Sequence, residues 1–146
     1  MNGFAAISIL AGLVALTTAG GLLWRARWGR VRRADGGTRI LPADVDAPVF
    51  GTSVTLLQFS TEFCAPCRST ARILDGLART TDGAVHVDVD LTHRPDLARR
   101  YNILQTPTTF ILDRSGAVRA RIAGAARPDQ LRSALADISG SPHVPA

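Results

Sequence analysis

Phe4 to Trp24 reads FAAISILAGLVALTTAGGLLW, a run of 21 residues without a charged side chain. At about 1.5 Å of rise per residue, a helix of that length crosses the roughly 30 Å of a bilayer's hydrocarbon. The run is apolar on every face and reads as one N-terminal transmembrane helix. Whatever folds in water must then be built from the rest of the 146 residues, which is enough for one domain with one core. A buried core helix and a cleavable signal peptide are the competing readings. A signal peptide carries its positive charge ahead of the apolar run. Here only the α-amino group precedes it, while Arg25, Arg27, Arg30, Arg32 and Arg33 follow at once. Trp24 and Trp28 stand where aromatic side chains settle at a membrane interface. The charge bias implies a single-pass membrane protein with its C-terminal domain in the cytoplasm. The extracytoplasmic face is the alternative. The same arginines suit contact with anionic membrane lipid.

That cluster also decides what the net charge of +5 means. Removing its five Arg from the 17 basic residues leaves 12 against 12 acidic residues between Asp35 and Ala146. The folded part is formally neutral and offers no general basic face to nucleic acid. Every basic residue is Arg, so no lysine is present to act as a Schiff-base former. The two cysteines, at i and i+3, cannot supply the long-range staples of a small disulfide-built domain. The domain has to stand on its core.

Residues 25–48 are rich in Gly, Asp, Pro and Arg and read as a basic juxtamembrane segment and linker, with a short strand expected from Thr38 to Leu41. The domain is expected over 49–140, followed by a flexible tail, SPHVPA, at 141–146. Within the domain, VTLLQFS (54–60) reads as a strand, and Ala71, Leu74, Leu77 and Ala78 fall at helical spacing in 65–80. AVHVDVD (84–90) alternates with period two, and a short helix starts at Pro95. TTFILD (108–113) and AVRARIAG (117–124) form strands joined by RSG. Pro128 opens a last helix carrying Leu131, Leu135 and Ile138. The order β, α, β, α, β, β, α gives an α/β sandwich with a mixed central sheet ending in an antiparallel hairpin.

CAPC, residues 64 to 67, falls between the first of these strands and the helix after it. The first turn of a helix leaves backbone N–H groups unpaired at the positive end of the macrodipole, which pushes Cys64 toward its thiolate. Cys67, one turn further on, lies on the same face and can resolve a mixed disulfide. Pro66 fits that turn, where its missing N–H is no loss. A structural zinc site needs four ligands, and beyond the two cysteines there are only His86, His93 and His143. A purely structural bridge closing so short a loop removes little entropy from the unfolded chain. Thiol-disulfide exchange is the reading that spacing and placement favour, and it needs no cofactor.

LLQFSTEFCAPCR and TPTTFILDRSGAVRARIAG together resemble the thioredoxin family from about Val54 to Ile138. The resemblance implies a thioredoxin-like fold, and a cis proline at Pro107, after Thr106, lying against the cysteine pair. Substrate would be held by Phe63, Ala65, Pro66, Thr106, Pro107 and Gly124. A cis X-Pro turns the chain so that Thr106 can pair with an extended peptide. The partners it implies are disulfide-containing proteins and an upstream dithiol reductant. Three departures stand out. Gln58 occupies the place of a buried acid, His86 that of a lysine, and Phe63 that of a tryptophan. Gln58, a neutral amide, cannot move a proton, which leaves His86, water or Glu62. The segment before Val54 is short for the family's first helix. A membrane-tethered protein-disulfide reductase is the leading reading. Extracytoplasmic disulfide exchange, cytochrome c maturation and a non-enzymatic redox-switch docking module stay beside it.

Overall fold

A computed structural model describes residues 3–27 and 30–140. Trp28, the tail at 141–146 and its His143 lie outside the described residues. Helix α1 (Gly3–Arg27) comes first. From Gly3 to Trp24 it is long and apolar enough to cross a membrane or to serve as a signal sequence, and the protein buries none of that stretch.

The other elements are β1 (Val31–Arg33), β2 (Val54–Ser60), α2 (Ala65–Thr80), β3 (Ala84–Asp90), α3 (Pro95–Arg100), β4 (Thr108–Asp113), β5 (Val118–Ala123) and α4 (Pro128–Gly140). The strands form one sheet in the order β1-β5-β4-β2-β3. Only β2 and β3 run parallel, joined by α2 as the crossover, while β4 is antiparallel to both β2 and β5. This is the thioredoxin-like α/β fold.

Strand β2 has every residue buried, because it is an interior strand paired with both β3 and β4, and both of its faces are covered. Val54 and Leu56 pack with Leu74 and Leu77 of α2 and Leu131 and Leu135 of α4. Leu57 and Phe59 point the other way, toward Leu97, Tyr101 and Phe110. The β4–β5 pairing shifts register between Ile111 and Leu112. An extra residue at such a shift changes which face the following side chains meet. Val118 accordingly joins the cluster of Phe59, whereas Ala120 and Ile122 join that of Leu56.

The segment read from sequence as a linker contributes to this packing. The strand expected at Thr38–Leu41 is only an isolated bridge between Arg39 and Ala117, and Pro42, which lacks an N–H, turns the chain into a 3-10 turn (Pro42–Val45). The strand that does form is Val31–Arg33, at the sheet edge beside β5. Ile40 is fully buried in the core, and its N–H donates to the Gly116 carbonyl at 2.9 Å. Gly116 has φ +79°, and a Cβ there would lie 2.2 Å from the Ile40 oxygen, so only glycine fits. Among the described residues, that 3-10 turn is the sole helical element between β1 and β2.

Asp113 closes the β4–β5 turn. Its Oδ1 accepts from the backbone N–H groups of Ser115 (2.8 Å) and Ala117 (3.1 Å) and from the Ser115 hydroxyl, and its Oδ2 accepts from Arg119 Nε at 2.8 Å. Burial works to raise its pKa, but the Ser115 and Arg119 bonds and the two backbone donors outweigh burial and bring it from the usual 3.8 to about 2. A carboxylate whose folded pKa is depressed stabilises the fold above its unfolded pKa and loses that contribution as pH falls through the folded value. Asp113→Asn is therefore expected to destabilise the domain by on the order of 2 kcal/mol at neutral pH. The gap to the parent protein should shrink between pH 3.8 and about 2. Urea midpoints for the two proteins across that range measure it, and a gap independent of pH would show that the carboxylate's charge contributes nothing.

Candidate active site

The cysteines sit where β2 hands over to α2. Cys64 is the N-cap of α2, in extended conformation, and its Sγ accepts a hydrogen bond from the Cys67 N–H at 3.2 Å. Pro66 lies in the first turn, where no N–H is missed. The cysteines are joined as a disulfide with Cα atoms 5.2 Å apart. Both are buried, Cys67 to 3% exposure and Cys64 to 8%. Ala65 and Pro66 are exposed, as is Glu62, and Phe63 stands 92% exposed immediately before Cys64.

A second loop approaches from the start of β4. The Thr106–Pro107 peptide bond is cis. The Thr106 hydroxyl lies 3.3 Å from that of Thr61, which ties this loop to the one carrying Phe63 and Cys64. Gly124, at the end of β5 with φ +93°, donates its N–H to the Pro107 carbonyl at 2.8 Å. These links join Gly124 to the loop of Thr106 and Pro107, and that loop to Thr61, which lies two residues before Phe63 and three before Cys64. Thr61 and Leu104 also belong to this region, although the sequence did not single them out. Thr61 carries no local signal, since its role depends on contact with a residue 45 positions away. Leu104 is 84% exposed two residues before Thr106, and an apolar residue in a short loop reads equally well as core.

The candidate proton-handling residues separate. Gln58 is fully buried beneath α2, and its Nε2 donates to the Cys67 carbonyl at 3.1 Å. Glu62 borders a cleft of about 270 Å³ that runs along Cys64, Cys67, Arg68, Asp88 and Asp90. His86 does not border it. Its Nδ1 is 2.7 Å from Asp75 Oδ1 on α2, and it pairs in register with Leu56, whereas Asp88 pairs with Gln58. The period-two alternation of AVHVDVD, which sets His86, Asp88 and Asp90 on one face, was the signal that could have drawn attention to Asp88. Asp90 is held below the usual carboxylate range by hydrogen bonds from the Thr92 hydroxyl and N–H.

A larger hollow of about 1070 Å³ lies between β1, the β4–β5 turn and α4, and shares no lining residue with the cysteine cleft. Its Arg33 and Arg119 are engaged by Asp137 and Asp113. Among the described residues no group of three or more His, Cys, Asp or Glu side chains is arranged to hold a metal ion.

A C-x-x-C pair with one sulfur at a helix N-terminus and the other a turn inside is an arrangement for exchanging disulfides. The comparisons agree with that chemistry. The profile of the thioredoxin family, described as "Thioredoxin", matches residues 43–137. An H-type thioredoxin of rice (Oryza sativa subsp. indica) is 32% identical over 82 residues, covering 56% of this chain and 66% of that protein. A thioredoxin of Echinococcus granulosus is 25% identical over 95 residues, covering 65% of this chain and 82% of the relative. Among solved structures, a mutant thioredoxin from Halobacterium salinarum superposes with a TM-score of 0.54 at 26% identity, over 64% of this chain and 80% of the other. The family profile covers well over half of the chain and takes in the Cys64–Cys67 pair, so this chain belongs to the thioredoxin family and carries the dithiol of a thiol-disulfide oxidoreductase.

Proposed function

We propose that this chain is a membrane-tethered protein-disulfide reductase whose dithiol works on the cytoplasmic side. The observation that carries the reading is the placement of Cys64 as the N-cap of α2 with the Cys67 N–H directed at its sulfur. In the reduced protein that donor and the positive helix end favour the Cys64 thiolate. Cys64 attacks a substrate disulfide, one substrate sulfur leaves as a thiolate, and a mixed disulfide forms. Cys67 then attacks Cys64, the Cys64–Cys67 bond closes, and the second substrate sulfur departs. Two electrons pass to the substrate, and an upstream dithiol returns the pair to its reduced form. Thr106 and Pro107, fastened to the active-site loop through Thr61, and the exposed Phe63 form the surface on which a disulfide-bearing peptide rests. The apolar α1 supplies the tether, the arginines after it set the side, and the reducing cytoplasm sets the direction of electron flow.

The test is one variant in its own membrane. Full-length Cys67→Ser, tagged after Ala146, is expected to accumulate covalent adducts through Cys64 that dissolve on adding a small dithiol. Its tag should resist protease in intact spheroplasts and yield once they are permeabilised. Absence of adducts, together with no reductase activity of the parent protein on a model disulfide, overturns the enzyme reading. Digestion in intact spheroplasts moves the protein to extracytoplasmic disulfide exchange or cytochrome c maturation. Adducts from the variant without turnover by the parent would mark a redox switch.

A further inference from the structure

We propose that Asp88 receives the proton of Cys67 when that thiol resolves the mixed disulfide, through water in the cleft beside the cysteines. This rests on the reading of Cys67 as the resolving thiol. The Cys67 S–H bond breaks and its proton passes to the Asp88 carboxylate. The sulfur's electron pair forms the Cys64–Cys67 bond, and the bond from Cys64 to the substrate breaks. The substrate sulfur leaves with that pair and takes up a proton, from Asp88 or from solvent.

Cys67 needs such help more than Cys64 does. It is 3% exposed, and burial disfavours the thiolate. The groups near it can be sorted by what each is already doing. Gln58 touches the Cys67 carbonyl, but an amide cannot accept a proton at neutral pH. His86 is turned to Asp75 and lies outside the cleft. Arg68, on α2, borders the cleft as a cation and has no proton vacancy. Asp90 spends Oδ1 on the Thr92 hydroxyl and N–H, with the charge of His93 nearby. Glu62 belongs to the loop entering Cys64 and is anchored through its backbone N–H to Thr92 Oγ1 at 3.0 Å.

Asp88 is placed differently. It is the register partner of Gln58 on the adjoining strand, beside the amide that donates to the Cys67 carbonyl, and it borders the same cleft as Cys67. Among the described residues none of the hydrogen bonds or ion pairs engages its carboxylate. The cleft's volume of about 270 Å³ admits several waters at about 30 Å³ each, enough for a bridge from sulfur to carboxylate. Gln58 Oε1, buried and without a protein partner, offers such a water a further acceptor.

The experiment uses the reduced full chain in detergent, mixed with an aromatic disulfide that releases a coloured thiolate. Release in the first phase reports attack by Cys64, and in the second phase resolution by Cys67. Because the coloured thiolate needs no proton to leave, the second phase isolates the loss of the Cys67 proton. In Asp88→Asn the second phase is expected to slow about tenfold or more at neutral pH while the first is unchanged. The deficit should narrow as pH rises toward the thiol's own ionisation, and Asp88→Glu should restore much of the rate. Equal second phases in Asp88→Asn and the parent protein overturn the assignment, as does slowing confined to Glu62→Gln. A first phase with no second phase in the parent protein, at any pH, would instead remove the reading of Cys67 on which the assignment depends.

Discussion

Replacing Cys64 by serine is expected to bring turnover of a model disulfide down to the uncatalysed background, a loss of about three orders of magnitude or more. The size of the effect follows from the chemistry, since a hydroxyl cannot form the mixed disulfide and Cys67, at 3% exposure, cannot reach the substrate in its place. The fold should survive the change. Serine is among the best N-cap residues, so it can accept the Cys67 N–H in the position of the sulfur. The lost bridge spans only three positions, and so short a loop restrains the unfolded chain little. Turnover with a small dithiol as electron donor, read beside a thermal melt, separates the two quantities. Activity above about a tenth of the parent value in a folded variant would remove Cys64 from the role of nucleophile.

The contrast between what was legible in the sequence and what was not follows the range of the forces involved. Strand β2, helix α2 and strand β3 are set by local periodicity, and their limits at 54–60, 65–80 and 84–90 coincide with the ranges read from the sequence. The dithiol is legible for the same reason, because its function lies in its position relative to a helix end. Strand β1 escapes such a reading. It is three residues long with one apolar side chain, Val31, and it owes its conformation to backbone pairing with β5, some 90 positions away. Ile40 falls in the short strand expected at Thr38–Leu41, but two adjacent apolar residues do not say which is core; packing with distant residues such as Leu112 and Val118 buries Ile40 while Leu41 stays exposed. Register hides in the same way. Whether His86 or Asp88 comes alongside Gln58 depends on how α2 returns the chain into a parallel pair, and a shift of two residues exchanges one for the other without changing the face. The residues that surround the cysteines are therefore the least legible part of the site, although the cysteines themselves are the most.

Phe59→Ala is expected to destabilise the domain by about 3 to 5 kcal/mol, a large part of the 5 to 15 kcal/mol that holds an ordinary domain together. Phe59 is fully buried in β2 and touches two further rings, Phe110 edge-on at a centroid distance of 5.2 Å and Tyr101 at 5.7 Å. Alanine would leave a void in close-packed surroundings and also forfeit the ring contacts, worth about 0.5 to 1.5 kcal/mol each beyond their area. Phe59→Leu retains most of the volume and should lose roughly half as much or less. Resistance to a brief protease pulse in rising urea, applied to the detergent-solubilised chain, gives the midpoints, and a shift below about 1 kcal/mol for alanine would mean that the cluster collapses around the vacancy. Phe59 is also tied to function, because it lies one residue before the end of β2, where Thr61 to Phe63 lead from the sheet to Cys64. Its loss should lower activity in proportion to the unfolded fraction and recover at low temperature. The Cys64→Ser defect, in a molecule that remains folded, should not recover at any temperature.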